Sequence, residues 1–124
     1  MSSSAVLDRP ATWPGDGELI SPDEIAKALR TTKGELAETI GLSLDALTRK
    51  ERISATKTQM RLRELWEILN RISERQGGLL GAYAWVRSFA IPGHGGETPA
   101  QIIRDGRANQ VHRHLDAWFA GGYA

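Results

Sequence analysis

Apolar residues recur along this chain with a helical period, and no segment shows the alternation of a strand. Ser21-Pro22-Asp23-Glu24 predicts a helix start: a hydroxyl at the N-cap, proline at the first helical position and Glu at N3. Ile25, Ala26 and Leu29 then form a short apolar stripe. Thr32-x-x-Glu35 repeats the capping box and opens a helix through Leu36, Ala37 and Ile40, which Gly41 ends in the left-handed region. Ser43 caps the next helix, with Leu44 and Leu47 expected inward. Thr56-x-x-Gln59 predicts the start of the longest helix. Leu62, Leu65, Trp66, Leu69 and Ile72 follow at i, i+3, i+4, i+7 and i+10. Gly77-Gly78 is the expected stop.

Leu79 to about Phe89 reads as a further helix with Tyr83, Ala84 and Val86 inward. Pro92-Gly93 and Gly95-Gly96 make a turn-rich loop. Thr98-Pro99 is an N-cap and N1 pair, Gly106 ends the short helix it opens, and a last helix carries Val111, Leu115, Trp118 and Phe119 on one side. The expected fold class is all-α.

Before the first helix, residues 1–19 hold three serines, two prolines and two glycines without an apolar period. That composition reads as a flexible arm, with Trp13 a loop aromatic. At 124 residues the chain suits one body, or two small ones sharing a core. The absence of cysteine excludes disulfides and thiolate metal sites, which makes a cytoplasmic location the expectation. No apolar run approaches the ~20 residues that span a bilayer, and the first residues lack the pattern of a secretory signal.

Sixteen Lys and Arg against fifteen Asp and Glu make the whole chain nearly neutral, so a nucleic-acid signal must lie in placement. Between Thr48 and Arg63 stand Arg49, Lys50, Arg52, Lys57, Arg61 and Arg63 against the single acid Glu51. This stretch follows Lys33–Arg52, whose spacing suits a helix-turn-helix: small Ala37 at the crossing, Gly41 in the turn, and Leu36, Ile40, Leu42 and Leu47 as its core. Such a motif lays its second helix, about Ser43 to Arg52, in the major groove. Ser43, Asp45, Thr48, Arg49, Lys50, Arg52 and Arg61 are the candidate DNA-binding residues. Arg49 is the candidate reader of guanine, and a homodimer reading two half-sites is expected. The same spacing also fits an ordinary helical hairpin with a solvated basic face.

Enzyme chemistry finds little footing. His112 and His114 stand at i and i+2, which face apart on a helix. Gly93-His94-Gly95-Gly96 follows no strand and lacks the lysine of a phosphate loop. No nucleophile, base and orienting group come together in the pattern. The expectation is a non-enzyme without metal or cofactor.

A resemblance sharpens the functional expectation. Ala82-Tyr-Ala-Trp85, the Pro-Gly-x-Gly-Gly loop at 92–96, Thr98-Pro99-x-x-x-Ile103-x-x-Gly106-Arg107-Ala108 and the closing Leu115-x-x-x-x-Ala120-Gly-Gly-Tyr-Ala124 resemble the toxin-binding domain of Xre/MbcA/ParS antitoxins. Leu47-Thr-Arg-Lys-Glu-Arg52 and Arg61-Leu-Arg-Glu-Leu65 resemble the Xre-like half of the same proteins. The likeness covers about residues 22 to 124. Beyond the arm (1–19) read from composition, it implies an Xre-like helix-turn-helix domain (20–76) and a toxin-binding domain (77–124). The implied partner is a RES-domain toxin that consumes NAD, and the implied action is to block its active-site cleft with the C-terminus.

Arg104, Arg107, Trp118, Phe119, Gly121, Gly122, Tyr123 and Ala124 are the residues assigned to that contact. Binding to the chain's own promoter or operator, as an autorepressor, is the second implied activity. A stand-alone transcriptional regulator whose C-terminal part dimerises or binds another partner remains the alternative.

Overall fold

The computed structural model describes residues 19–121. The arm over 1–18, with Trp13, and the closing residues Gly122, Tyr123 and Ala124 lie outside them. Eight α-helices and one 3-10 turn make up the described residues, which contain no strand. They are α1 (Pro22–Ala28), α2 (Lys33–Ile40), α3 (Leu44–Thr48), α4 (Lys50–Ile53), α5 (Thr56–Ile72), the 3-10 turn (Ser73–Gln76), α6 (Leu79–Ser88), α7 (Pro99–Arg104) and α8 (Ala108–Phe119). None is long and apolar enough to cross a membrane.

The sequence caps form where side-chain oxygens meet the exposed amides of a first turn. Ser21, Thr32, Ser43 and Thr98 accept from the backbone N–H of Glu24, Glu35, Ala46 and Gln101. Only Thr98 and Gln101 complete a reciprocal box. Glu35 instead accepts from Thr31 Oγ1 at 2.8 Å and pairs with Arg87 of α6 at 2.7 Å. At the start of α5 the expected box is absent: the N-cap is Ala55, with no side-chain bond. Gln59 turns away and donates its amide to the carbonyl oxygens of Ile20 and Ile53, at 3.0 and 2.9 Å, while its Oε1 accepts the Ile20 N–H at 2.7 Å.

α5 is the central helix. It packs against α2, α4, α6, α7 and α8, and buries Leu62, Leu65, Trp66, Ile68, Leu69 and Ile72. A single hydrophobic core runs from Ile20 to Leu115, so helices on both sides of residue 76 share it. Each fully buried Leu or Ile contributes ~1.5–3 kcal/mol relative to exposure. α7 packs on α2 as well as on its neighbours α6 and α8, and so ties the last third of the chain to the first.

Three elements depart from the pattern read in the sequence. Leu44, expected inward, is 50% exposed, and Ala46 takes the buried place beside Leu47. Ala84 faces solvent, while Ala82 and Trp85 join Tyr83 and Val86 inside. The helix expected to run from Ser43 to Arg52 breaks at Arg49, whose backbone is extended (φ −82, ψ 125) and serves both as the end of α3 and the start of α4.

Candidate interaction surfaces

The first surface is the pair α3–α4. Gly41, at φ +75, turns the chain from α2 into α3, and a Cβ there would sit 3.0 Å from Arg104 Cβ and Cγ. Ala37, Ile40 and Leu47 are buried behind the turn. On the outer side Ser43, Asp45, Thr48, Arg49, Lys50 and Arg52 are all exposed. Two of their hydroxyls are used locally: Ser43 caps α3, and Thr48 Oγ1 donates to the Leu44 carbonyl at 3.0 Å. Arg49, 63% exposed, meets Asp45 at 3.5 Å, an exposed pair of the kind worth ~0–1 kcal/mol. Among the described residues no carboxylate pairs with Lys50, Arg52 or Lys57, so this face presents several cations to solvent.

Arg61 is not part of that face. Its side chain is only 12% exposed and its Nη1 donates to the carbonyls of Ile40 and Arg104, at 2.7 and 3.1 Å. These are the open C-terminal carbonyls of α2 and α7, which the guanidinium satisfies together. Arg104 reinforces the joint by donating Nε–H to the Glu38 carbonyl at 3.0 Å. Both arginines therefore hold α7 against the end of α2. Beside Arg61, Thr56, Lys57, Met60, Glu64 and Gly106 line an open hollow of about 370 Å³. Glu64 Oε1 is buried there without a hydrogen bond, and burial, with Glu67 adding to it and Arg61 opposing, raises this carboxyl above its ordinary pKa.

The second surface is an aromatic shelf made by α6, the 3-10 turn and the end of α8. Trp85 and Phe89, one helical turn apart, stack at 5.2 Å, and Trp118 continues the stack 6.5 Å from Trp85. His114 lies against both Phe89 and Trp118, and Phe119 tilts against Trp118 at 5.5 Å. Val111 and Leu115 are fully buried, but Trp118 and Phe119 are only partly so. The guanidinium of Arg75 lies 4.2 Å from the Phe119 ring centre and 5.4 Å from that of Trp118, with Arg71 5.2 Å from Phe119. Such cation–π contacts contribute ~0.5–1 kcal/mol at exposed sites.

Arg71 also fixes a histidine. Its Nη1 donates to His112 Nδ1 at 2.8 Å while Nη2 pairs with Asp116 at 2.7 Å. Arginine only donates, so His112 is the neutral tautomer with its proton on Nε2. Burial, then the nearby Arg71 charge, lower its pKa against the opposing pull of Glu67 and Asp116. Burial and the neighbouring His94 lower that of His114, whose Nε2 is buried without a partner. His112 and His114 belong to different environments, and among the described residues no group of three or more His, Asp or Glu is placed to hold a metal.

Arg107 is braced within its own loop by Glu97 and Asp105, each at 2.8 Å, and those bonds raise its pKa further above the ordinary value. Gly121 is exposed just past the end of α8. The structure thus gathers Trp118, Phe119 and Gly121 at one end of α8. It places Arg104 and Arg107 in separate structural networks. Phe89, His114, Arg71 and Arg75 complete the shelf without having been singled out for it in the sequence. The i, i+4 spacing of Trp85 with Phe89 and of His114 with Trp118 was the available signal.

No family model, no curated protein and no solved structure matches this chain.

Proposed function

We propose that this chain is an antitoxin that neutralises a RES-domain, NAD-consuming toxin. In this reading the end of α8 docks on the toxin and the segment Gly121–Ala124 enters its cleft. The observation that carries the reading is the aromatic shelf. Trp118 and Phe119 are held by stacking and by two arginines yet remain partly open, immediately before that segment. Trp and Arg are among the residues enriched where interfaces concentrate their binding energy. The motif resemblance over residues 22 to 124 supplies the identity of the partner.

The exposed cations of α3–α4 favour a second activity, repression of the operon through operator DNA. The α2–α3 hairpin is read as a helix-turn-helix with a recognition segment bent at Arg49. Arg49, Lys50 and Arg52 are its phosphate or base contacts, two copies of the chain give it two half-sites, and Arg61 is left to the fold. The alternative is a stand-alone regulator, in which the shelf takes a partner of another kind.

The test is NAD consumption by a purified RES-domain toxin encoded beside this chain. Added full-length chain is expected to stop NAD loss, and a chain ending at Ala120 to leave it running. Full protection by the truncated chain would overturn the cleft-blocking mechanism. Retained complex formation by that truncation, with lost protection, would separate docking on the shelf from blocking of the cleft.

A further inference from the structure

Two arginines lie over the Phe119 ring, and their donors are used differently. Arg71 engages its guanidinium within the chain: Nη1 donates to His112 and Nη2 pairs with Asp116, while the group stands 5.2 Å from the ring centre. Arg75 is closer to the same ring, at 4.2 Å, and lies 5.4 Å from the ring centre of Trp118. Its side chain belongs to an exposed residue of the 3-10 turn. Among the described residues none of its N–H groups has an acceptor, and no carboxylate pairs with it, that of adjacent Glu74 included. A guanidinium stacked on an aromatic face keeps its donors in a planar fork whose spacing matches a carboxylate. Trp118 and Phe119 pack against the core, so the platform under Arg75 is already ordered, and less side-chain freedom is lost when an anion pairs with it.

We propose that Arg75 is the anion-reading residue of the aromatic shelf, forming a two-pronged hydrogen-bonded pair with an Asp or Glu side chain of the docked toxin. The inference rests on the antitoxin reading, in which the shelf docks on a protein, whose side-chain anions are carboxylates. Trp118 and Phe119 cover apolar surface of the toxin beside the pair and exclude water from it, which strengthens the attraction. Arg71, its donors already engaged, braces the platform and takes no part in the pairing.

The experiment measures, by isothermal titration calorimetry, the affinity of the full-length chain for the RES-domain toxin encoded beside it, between about 50 and 300 mM salt. Arg75→Gln and Arg75→Lys are compared with the parent. Arg75→Gln is expected to bind about ten- to a hundredfold more weakly at the lowest salt, and to lose less affinity than the parent as salt rises. Arg75→Lys keeps the charge without the fork and is expected to fall between the two. Arg75 is exposed, so both variants are expected to unfold within roughly 5 °C of the parent, which separates lost pairing from a lost fold. Equal affinity of the parent and Arg75→Gln, or a weakening of the same size at every salt concentration, would overturn the carboxylate pairing while leaving the antitoxin reading in place. A parent chain that does not bind the toxin would overturn both.

Discussion

Two glycines with the same sequence appearance have opposite roles. Gly81 and Gly34 both stand inside helices, where alanine is ordinarily the better residue by ~0.5–1 kcal/mol. A Cβ on Gly81 would overlap the carbonyl oxygen of Gln76, because the 3-10 turn folds back onto α6 at that point. At Gly34 the nearest atom is Thr32 Oγ1 at an ordinary 3.8 Å. Gly81→Ala is expected to cost ~3 kcal/mol or more and to lower Tm by roughly 10 °C or more, while Gly34→Ala leaves Tm unchanged or slightly raised. Thermal unfolding of the two variants checks both signs. Nothing in the local sequence distinguishes these positions, since the overlap is set by how the 3-10 turn meets α6.

The two histidines on α8 give the fold a pH dependence whose sign follows from their surroundings. Both have folded-state pKa values below the ordinary 6.5, burial being the first cause in each case. A group depressed on folding leaves stability intact above its unfolded pKa, and stability falls as pH drops below ~6.5 toward the folded value. The histidines are therefore expected to lower the denaturant midpoint as pH drops below ~6.5, with the raised Glu64 carboxyl opposing them. His114→Phe, which keeps an aromatic ring between Phe89 and Trp118, is expected to flatten part of that fall. An unchanged pH profile in that variant would remove His114 from the explanation.

At the scale of elements, most helix starts were legible because they are local. A hydroxyl and an amide three residues on belong to the same turn, so Ser21, Thr32, Ser43 and Thr98 could be read directly. Two residues took roles set by contacts far along the chain. Gln59 has the spacing of a capping box but binds a residue 39 positions away. Arg61 reads as one more cation in a basic run, yet it joins the ends of α2 and α7. The Leu44 stripe position faces solvent because the core space behind α3 is filled by Leu47 and Ala46.

That joint carries a sharp expectation. Arg61→Met keeps the stem of the side chain but leaves the Ile40 and Arg104 carbonyls without their shared donor. The expected cost is ~1–3 kcal/mol, with faster amide exchange at the ends of α2 and α7. Thr39 and Tyr83 offer a comparison nearby. Thr39 Oγ1 donates to the Glu35 carbonyl at 2.9 Å, so Tyr83 OH donates to Thr39 at 3.0 Å. Tyr83→Phe removes that donor and is expected to cost ~1 kcal/mol. Thr39→Val strands the buried phenol and is expected to cost more. Chemical denaturation of the pair orders them, and the reverse order would contradict the donor assignment.

For the whole molecule, one core joins the hairpin that carries the basic face to the helices that build the aromatic shelf. The helical class was readable from periodicity alone. The shelf was half readable: Trp118 and Phe119 stood out at the end of the last stripe, whereas Arg71 and Arg75 reach it from another part of the chain. The two surfaces are thus built on one shared core. The most direct measurement is to isolate the tagged full-length chain from its native cells and identify what accompanies it. A stoichiometric RES-domain protein is the expected companion. Recovery of DNA alone, with no protein partner, would contradict the antitoxin reading and leave the stand-alone regulator in its place.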